Sequence, residues 1–199
     1  MIMSISKRKS AIVLDLEIEK AILGKNELPQ EGVEYCSGWG DCLGMGIACV
    51  CVYDYLLDEW LVFHKANMPE LVRLVDDRDL VVGFNNISFD NRVLRAHGVD
   101  IDKYKCYDIF HKARKAVGGW TSRGMGLNNF ALANGCGSKN GNGHLAPILW
   151  QRGEREKVVR YCRNDVQMTK ALFDKVCRDG ELQDPRGEHF RMIQMERPW

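Results

Sequence analysis

The 199-residue chain has no run of 18 apolar residues, so nothing in it reads as a membrane-spanning helix. None of its eight cysteines (36, 42, 49, 51, 106, 136, 162 and 177) forms the C-x2-C pair of a zinc knuckle. It has little net charge, since 28 Lys and Arg against 27 Asp and Glu leave +1. That balance excludes a histone-like basic binder, and 45% apolar residues exclude a disordered or collagen-like chain. No Walker-type glycine spacing points to an ATP site. There is no internal repeat and no linker that divides the chain. Lys7, Arg8 and Lys9 lead into an apolar stretch that Asp15, Glu17 and Glu19 interrupt at once, which does not fit a signal peptide.

What is present reads as one domain over 1–199, with a long 18–44 loop and a 179–199 C-terminal extension. The cysteines read as reduced, buried thiols of a cytoplasmic protein, with a structural zinc through Cys36, Cys42 and others as the alternative. Cys49 and Cys51 would share one face of a strand. Residues 11–18 predict a buried strand. Residues 19–44 are polar and glycine-rich, and a loop of that length is commonly functional. Strands are expected over 45–54 and 59–64 as a hairpin, over 80–84 and over 104–110, with a possible short one at 189–195. Helices are expected over 68–76, 89–97, up to 117, 126–133 and 152–178. A hairpin beside helix-connected strands gives an α/β fold, a mixed sheet flanked by helices.

Three segments carry acids in positions suited to chemistry. Side chains alternate along a strand, so Asp15 and Glu17 point the same way, about 7 Å apart at Cα. Paired carboxylates repel unless protonated or bound to a cation, and oxygen ligands suit Mg²⁺ or Mn²⁺. The bland alternative is a strand emerging into solvent. In the second segment, Asn85-Asn86-Ile87-Ser88-Phe89-Asp90, an acid opens a helix at a strand's C-terminal edge, where open α/β sheets bind ligands. Plain capping by Ser88 is the alternative. In the third, Tyr161 and Asp165 stand at i and i+4 on one helix face, about 6 Å apart along its axis. Asp165 borders the apolar stripe and needs a partner, with Arg160 or Arg163 available if it is not a metal ligand.

Taken in order, Asp-x-Glu, Asn-x-x-Phe-Asp and Tyr-x-x-x-Asp resemble the three motifs of the DEDDy-type 3′–5′ exonucleases, which have a ribonuclease H-like fold. The stretch from Lys139 through Leu149-Trp150 to Tyr161-Cys162 resembles exonuclease domains related to the proofreading part of family B DNA polymerases. The resemblance implies two divalent cations, Mg²⁺ or Mn²⁺, held by Asp15, Glu17, Asp90 and Asp165. Asp15 would bridge both, Glu17 and Asp165 would complete the first site, and Asp90 would serve the second through water. Tyr161 would orient the attacking water, since its ordinary pKa near 10 suits positioning better than bulk base chemistry. The implied substrate is the 3′ end of single-stranded DNA, with RNA open, and the product a nucleoside 5′-monophosphate. A proofreading role would need a separate polymerase or helicase partner. A catalytically silent module that binds nucleic acid or a protein, and a nuclease acting inside chains, stand as alternatives.

For substrate binding the candidates are Asn86, Phe89, Trp120 and Lys139. Asn86 would hold the terminal nucleotide or cap a turn. Phe89 and Trp120, with Trp39, Trp60, Trp150 and Phe84, are stacking candidates against a background of core packing. Lys139 lies among Gly135, Gly137, Gly141 and Gly143, a loop suited to touching phosphate. The neutral sum also hides a division. Residues 105–163 hold 11 basic and 3 acidic side chains, a local +8 against −7 elsewhere, which suggests a track for a polyanion.

Overall fold

Seven residues from Ala11 to Glu17 form β1, and their alternation sorts the apolar side chains into two cores. Ile12, Leu14 and Leu16 face one way, with Val50, Val52 and Val81. Val13 faces the other, with Cys49, Cys51 and Val82. This is a computed structural model of the chain, and it describes residues 10–102, 105–119, 123–139, 141, 143–186 and 192–198.

β2 (Cys49–Asp54) and β3 (Glu59–Phe63) make the hairpin, and β2 pairs antiparallel with β1. β4 (Leu80–Gly83) and β5 (Cys106–Asp108) add in parallel on the other side, giving the order β3-β2-β1-β4-β5. This is the mixed, helix-flanked α/β sheet that the sequence predicts. α1 (Met68–Asp77) and α2 (Asp90–Ala96) cover one face. α3 (Ile109–Ala116), α4 (Leu127–Ala133), α5 (Ala146–Gln151) and α6 (Arg155–Asp179) cover the other. Phe130 of α4 is fully buried there, its ring 5.7 Å from that of Phe84.

Several boundaries move for local reasons. β2 starts at Cys49 rather than near 45, because Gly46 takes a left-handed φ of 65° and turns the chain. The helix expected over 152–178 is α6, and it starts at Arg155 rather than 152 because Gly153, at φ 80°, turns the chain just before it. α5 itself is not foreseen; Pro147 sits in its first turn, where a missing N–H costs nothing. α6 ends on Gly180 in the left-handed conformation. The chain reverses there into β6 (Glu181–Gln183), which pairs with β7 (Met192–Gln194) as a small second sheet. Ser88 does not cap α2: its hydroxyl meets His111 Nε2 at 2.8 Å, and α2 has no side-chain cap. Among the described residues, no helix is long and apolar enough to cross a membrane.

Candidate active site

β1 outruns β4. The parallel pairing ends at Val13 with Val82, so the N–H groups farther along β1 on the side of β4 lose their ladder partners, while pairing with β2 continues to Glu17. Asp90, the first residue of α2, takes over one of them: Leu16 N–H donates to Asp90 Oδ1 at 3.1 Å. This bond joins the second acidic segment to the first. On the next layer, the Cys162 thiol of α6 donates to the Asp15 carbonyl at 3.2 Å, which seats α6 across the end of β1. Asp165, one turn on, is thereby brought to the same edge, and Asp15, Glu17, Asp90, Tyr161 and Asp165 all line one cavity of about 1170 Å³.

The acids are crowded and poorly hydrated. Asp90 is 5% exposed and Asp165 4%. Burial, then repulsion from Asp90, Asp165 and Glu17, holds the Asp15 carboxyl well above the ordinary range. Burial and then Asp165 do the same for Glu17. Burial pushes Asp90 up to about 7, against hydrogen bonds from its own N–H and that of Leu16. Burial also raises Asp165, although the Lys139 ammonium beside it pulls the other way. Among the described residues, no three carboxylates each bring an oxygen within 4.8 Å of the others.

Asp165 does have a partner, and it is neither Arg160 nor Arg163. Lys139 Nζ donates to Asp165 Oδ2 at 2.5 Å and to the Tyr161 hydroxyl at 2.8 Å. Arg163 instead lies over the Trp60 ring at 4.6 Å. Lys139 is set by its neighbours: its N–H donates to Asn128 Oδ1 at 2.8 Å, and Asn164 Nδ2 donates to the Ser138 carbonyl at 3.1 Å. Asp165 Oδ1 is buried and has no hydrogen-bond partner. The glycines of this loop make room for the tyrosine. A Cβ on Gly141 would stand 2.9 Å from the Tyr161 ring, and one on Gly143 would stand 3.0 Å from its hydroxyl. Burial pushes the Tyr161 phenol up to about 12, so at neutral pH it is protonated.

An orphaned buried carboxylate oxygen and four crowded acids fit a divalent cation. Asp15, Glu17, Asp90 and Asp165 are the residues that could hold one, and all their donors are hard oxygens.

The substrate-side candidates divide. Phe89 lines the cavity, with its ring 5.9 Å from that of Trp39, which belongs to the long loop. Asn86 does not line it. Asn85 adopts φ 62°, which turns the next side chain inward, and Asn86 is 1% exposed with Nδ2 donating to Asn91 Oδ1 at 3.1 Å. Asn85 is on the cavity wall instead. Trp120 lies outside the described residues. Lys139 faces the acids rather than open loop space. Trp60 packs on Tyr53 at 5.1 Å and Trp150 on His64 at 6.0 Å, as core-type contacts.

Two features have no sequence signature. Gln151 of α5 staples the long loop, its Nε2 donating to the carbonyls of Glu19 and Glu34 at 2.9 and 3.0 Å. The loop in turn forms one wall of the cavity through Ile22, Leu28 and Trp39. The basic stretch does not make a track on the acidic cavity. Lys139 is the only Lys or Arg on its wall among the described residues, while Arg155, Arg160 and Arg163 line a second cavity of about 800 Å³.

No protein-family model and no curated protein sequence matches the chain. Among solved structures, it is similar to the family B DNA polymerase from the hyperthermophilic archaeon Pyrobaculum calidifontis, with a TM-score of 0.59 at 17% identity over 85% of this chain. The match spans 25% of that polymerase, and the likeness is one of fold: a mixed sheet flanked by helices, as in ribonuclease H-like domains.

Proposed function

We propose that the protein is a metal-dependent 3′–5′ exonuclease of the DEDDy type, acting on single-stranded nucleic acid with DNA favoured. It would release nucleoside 5′-monophosphates. The observation that carries this reading is the convergence of Asp15, Glu17, Asp90 and Asp165 on one cavity wall, Asp15 half-buried and the others buried, all resisting ionisation. Nothing short of added positive charge lets four such groups ionise together. The likeness to a polymerase that carries a domain of this fold is in keeping with the reading.

Asp15, Glu17, Asp90 and Asp165 would hold two divalent cations, Mg²⁺ or Mn²⁺. Bound there, the cations would supply Lewis acidity for the attacking water and the leaving oxygen. The rest falls to the chain. Tyr161, a neutral phenol held by Lys139, is placed to orient a water by hydrogen bonding. Lys139 keeps Tyr161 and Asp165 in fixed relation and brings positive charge to where a phosphate would sit. Phe89 and Trp39 offer ring surface for a terminal base.

The test is digestion of 5′-labelled single-stranded DNA and RNA with Mg²⁺ or Mn²⁺, with the products sized. A ladder shortening from the 3′ end, absent in Asp165→Asn, is the expected result. Internal cuts, or an undiminished ladder in Asp165→Asn, would overturn it.

A further inference from the structure

Beneath the acids lies a second cluster that the proposed reaction does not use. The sulfurs of Cys49, Cys51 and Cys162 all lie within 4.8 Å of one another. All three residues are buried and none is in a disulfide. The cluster is a product of register. Cys49 and Cys51 alternate onto one face of β2, opposite Glu17 and Asp15 of β1, and Cys162 descends on them from α6. Cys36 and Cys42, where the sequence allowed a structural zinc, belong to no group of three ligating side chains among the described residues; the sulfurs that gather are these three.

Three sulfurs need one more donor to complete a tetrahedral site. Asp15 stands beside one of them, with its Oδ2 3.6 Å from Cys162 Sγ. In a tetrahedral zinc site the sulfurs lie about 3.8 Å apart, given Zn–S near 2.3 Å, so the three sulfurs close with about 1 Å of movement at most, while the Asp15 carboxylate, outside the 4.8 Å group, has to swing toward Cys49 and Cys51. Thiolates select soft or borderline cations, whereas the carboxylate wall selects hard ones. One residue separates the cluster from the second cavity: Cys51 Sγ meets the Val159 carbonyl at 3.6 Å, and Val159 lines that cavity.

We propose that Cys49, Cys51 and Cys162 form a second cation site, for Zn²⁺ or Cd²⁺, with the Asp15 carboxylate as its fourth ligand. Each thiol, and the Asp15 carboxyl where it is protonated, gives its proton to solvent as it takes a coordination position, and no electron changes hands. Because Asp15 is shared, filling the thiol site withdraws it from the acidic site. A thiophilic cation therefore inhibits the nuclease, a consequence that rests on the function proposed above.

Binding is tested without reference to activity. Cd²⁺ titrated into the full chain should give a sulfur-to-cadmium charge-transfer absorption that saturates at one equivalent. The band should disappear in Cys51→Ser and survive in Cys42→Ser. X-ray absorption of the zinc-loaded wild type needs no variant and should show three sulfurs at about 2.3 Å and one oxygen at about 2.0 Å. No band, a band that persists in the Cys49→Ser, Cys51→Ser double variant, or a zinc shell of nitrogen and oxygen alone would overturn the site. With Mg²⁺ fixed, Zn²⁺ should slow wild-type digestion at least tenfold and spare Cys51→Ser. A bound three-sulfur site without inhibition would overturn the sharing of Asp15 alone. A chain that binds Cd²⁺ as expected but never digests nucleic acid would count against the nuclease and not against the thiol site.

Discussion

Asp90→Asn should make the metal-free protein more stable at pH 8, not less. Asp90 is buried and its carboxyl is pushed up to about 7 from an ordinary 3.8. At about 1.4 kcal/mol per tenfold change, ionising it in the fold costs roughly 4 kcal/mol. The sign follows from proton binding. Between about pH 4 and pH 7 the folded state holds a proton that the unfolded chain has released, so stability falls as pH rises through this window. Below it the cost is absent, and above it the cost is complete. Asparagine carries no charge and keeps an Oδ1 to accept the Leu16 N–H. Urea unfolding of chelator-treated wild type and variant is the assay. With a slope of about 2 kcal/mol per molar, the variant's midpoint at pH 8 should rise by up to about 2 M and should match wild type near pH 4. A variant less stable than wild type at pH 8, or a gain that does not change with pH, would refute the electrostatic account.

Other consequences can be measured separately. Tyr161→Phe should lower the digestion rate at least tenfold while leaving Mn²⁺ affinity unchanged; an unaltered rate would remove the hydroxyl from the reaction. Gly141→Ala drives a Cβ to 2.9 Å from the Tyr161 ring and should reproduce that loss with the hydroxyl intact, as kcat and KM measurements would show. Phe130→Ala should cost about 3–5 kcal/mol by leaving a cavity against Phe84, read by denaturant unfolding, with little change in cation affinity.

The parts of the fold legible in the sequence are those with a strong period. β1 alternates with period two, which placed Asp15 and Glu17 on one face, and α6 repeats with period 3.6, which placed Tyr161 and Asp165 on another. What escaped depends on distant or very local geometry. The partner of Asp165 is 26 residues away in a glycine loop, and charge spacing on α6 itself pointed to the wrong arginines. The left-handed φ at Asn85 decides that Asn85, and not Asn86, faces the cavity, and two adjacent asparagines carry no signal of which one takes it. α5 is six residues long and too short to show a period. The cysteine cluster joins β2 to α6 across more than 100 residues of sequence, so no spacing rule could reveal it.

The central claim is that the four acids hold divalent cations for the reaction. Counting bound Mn²⁺ by the electron paramagnetic resonance of the free ion tests it most directly. Two ions per wild-type chain, lost in Asp15→Asn with the fold intact by circular dichroism, is the predicted result. No bound Mn²⁺ in the wild type, or the same two ions in Asp15→Asn, would contradict it.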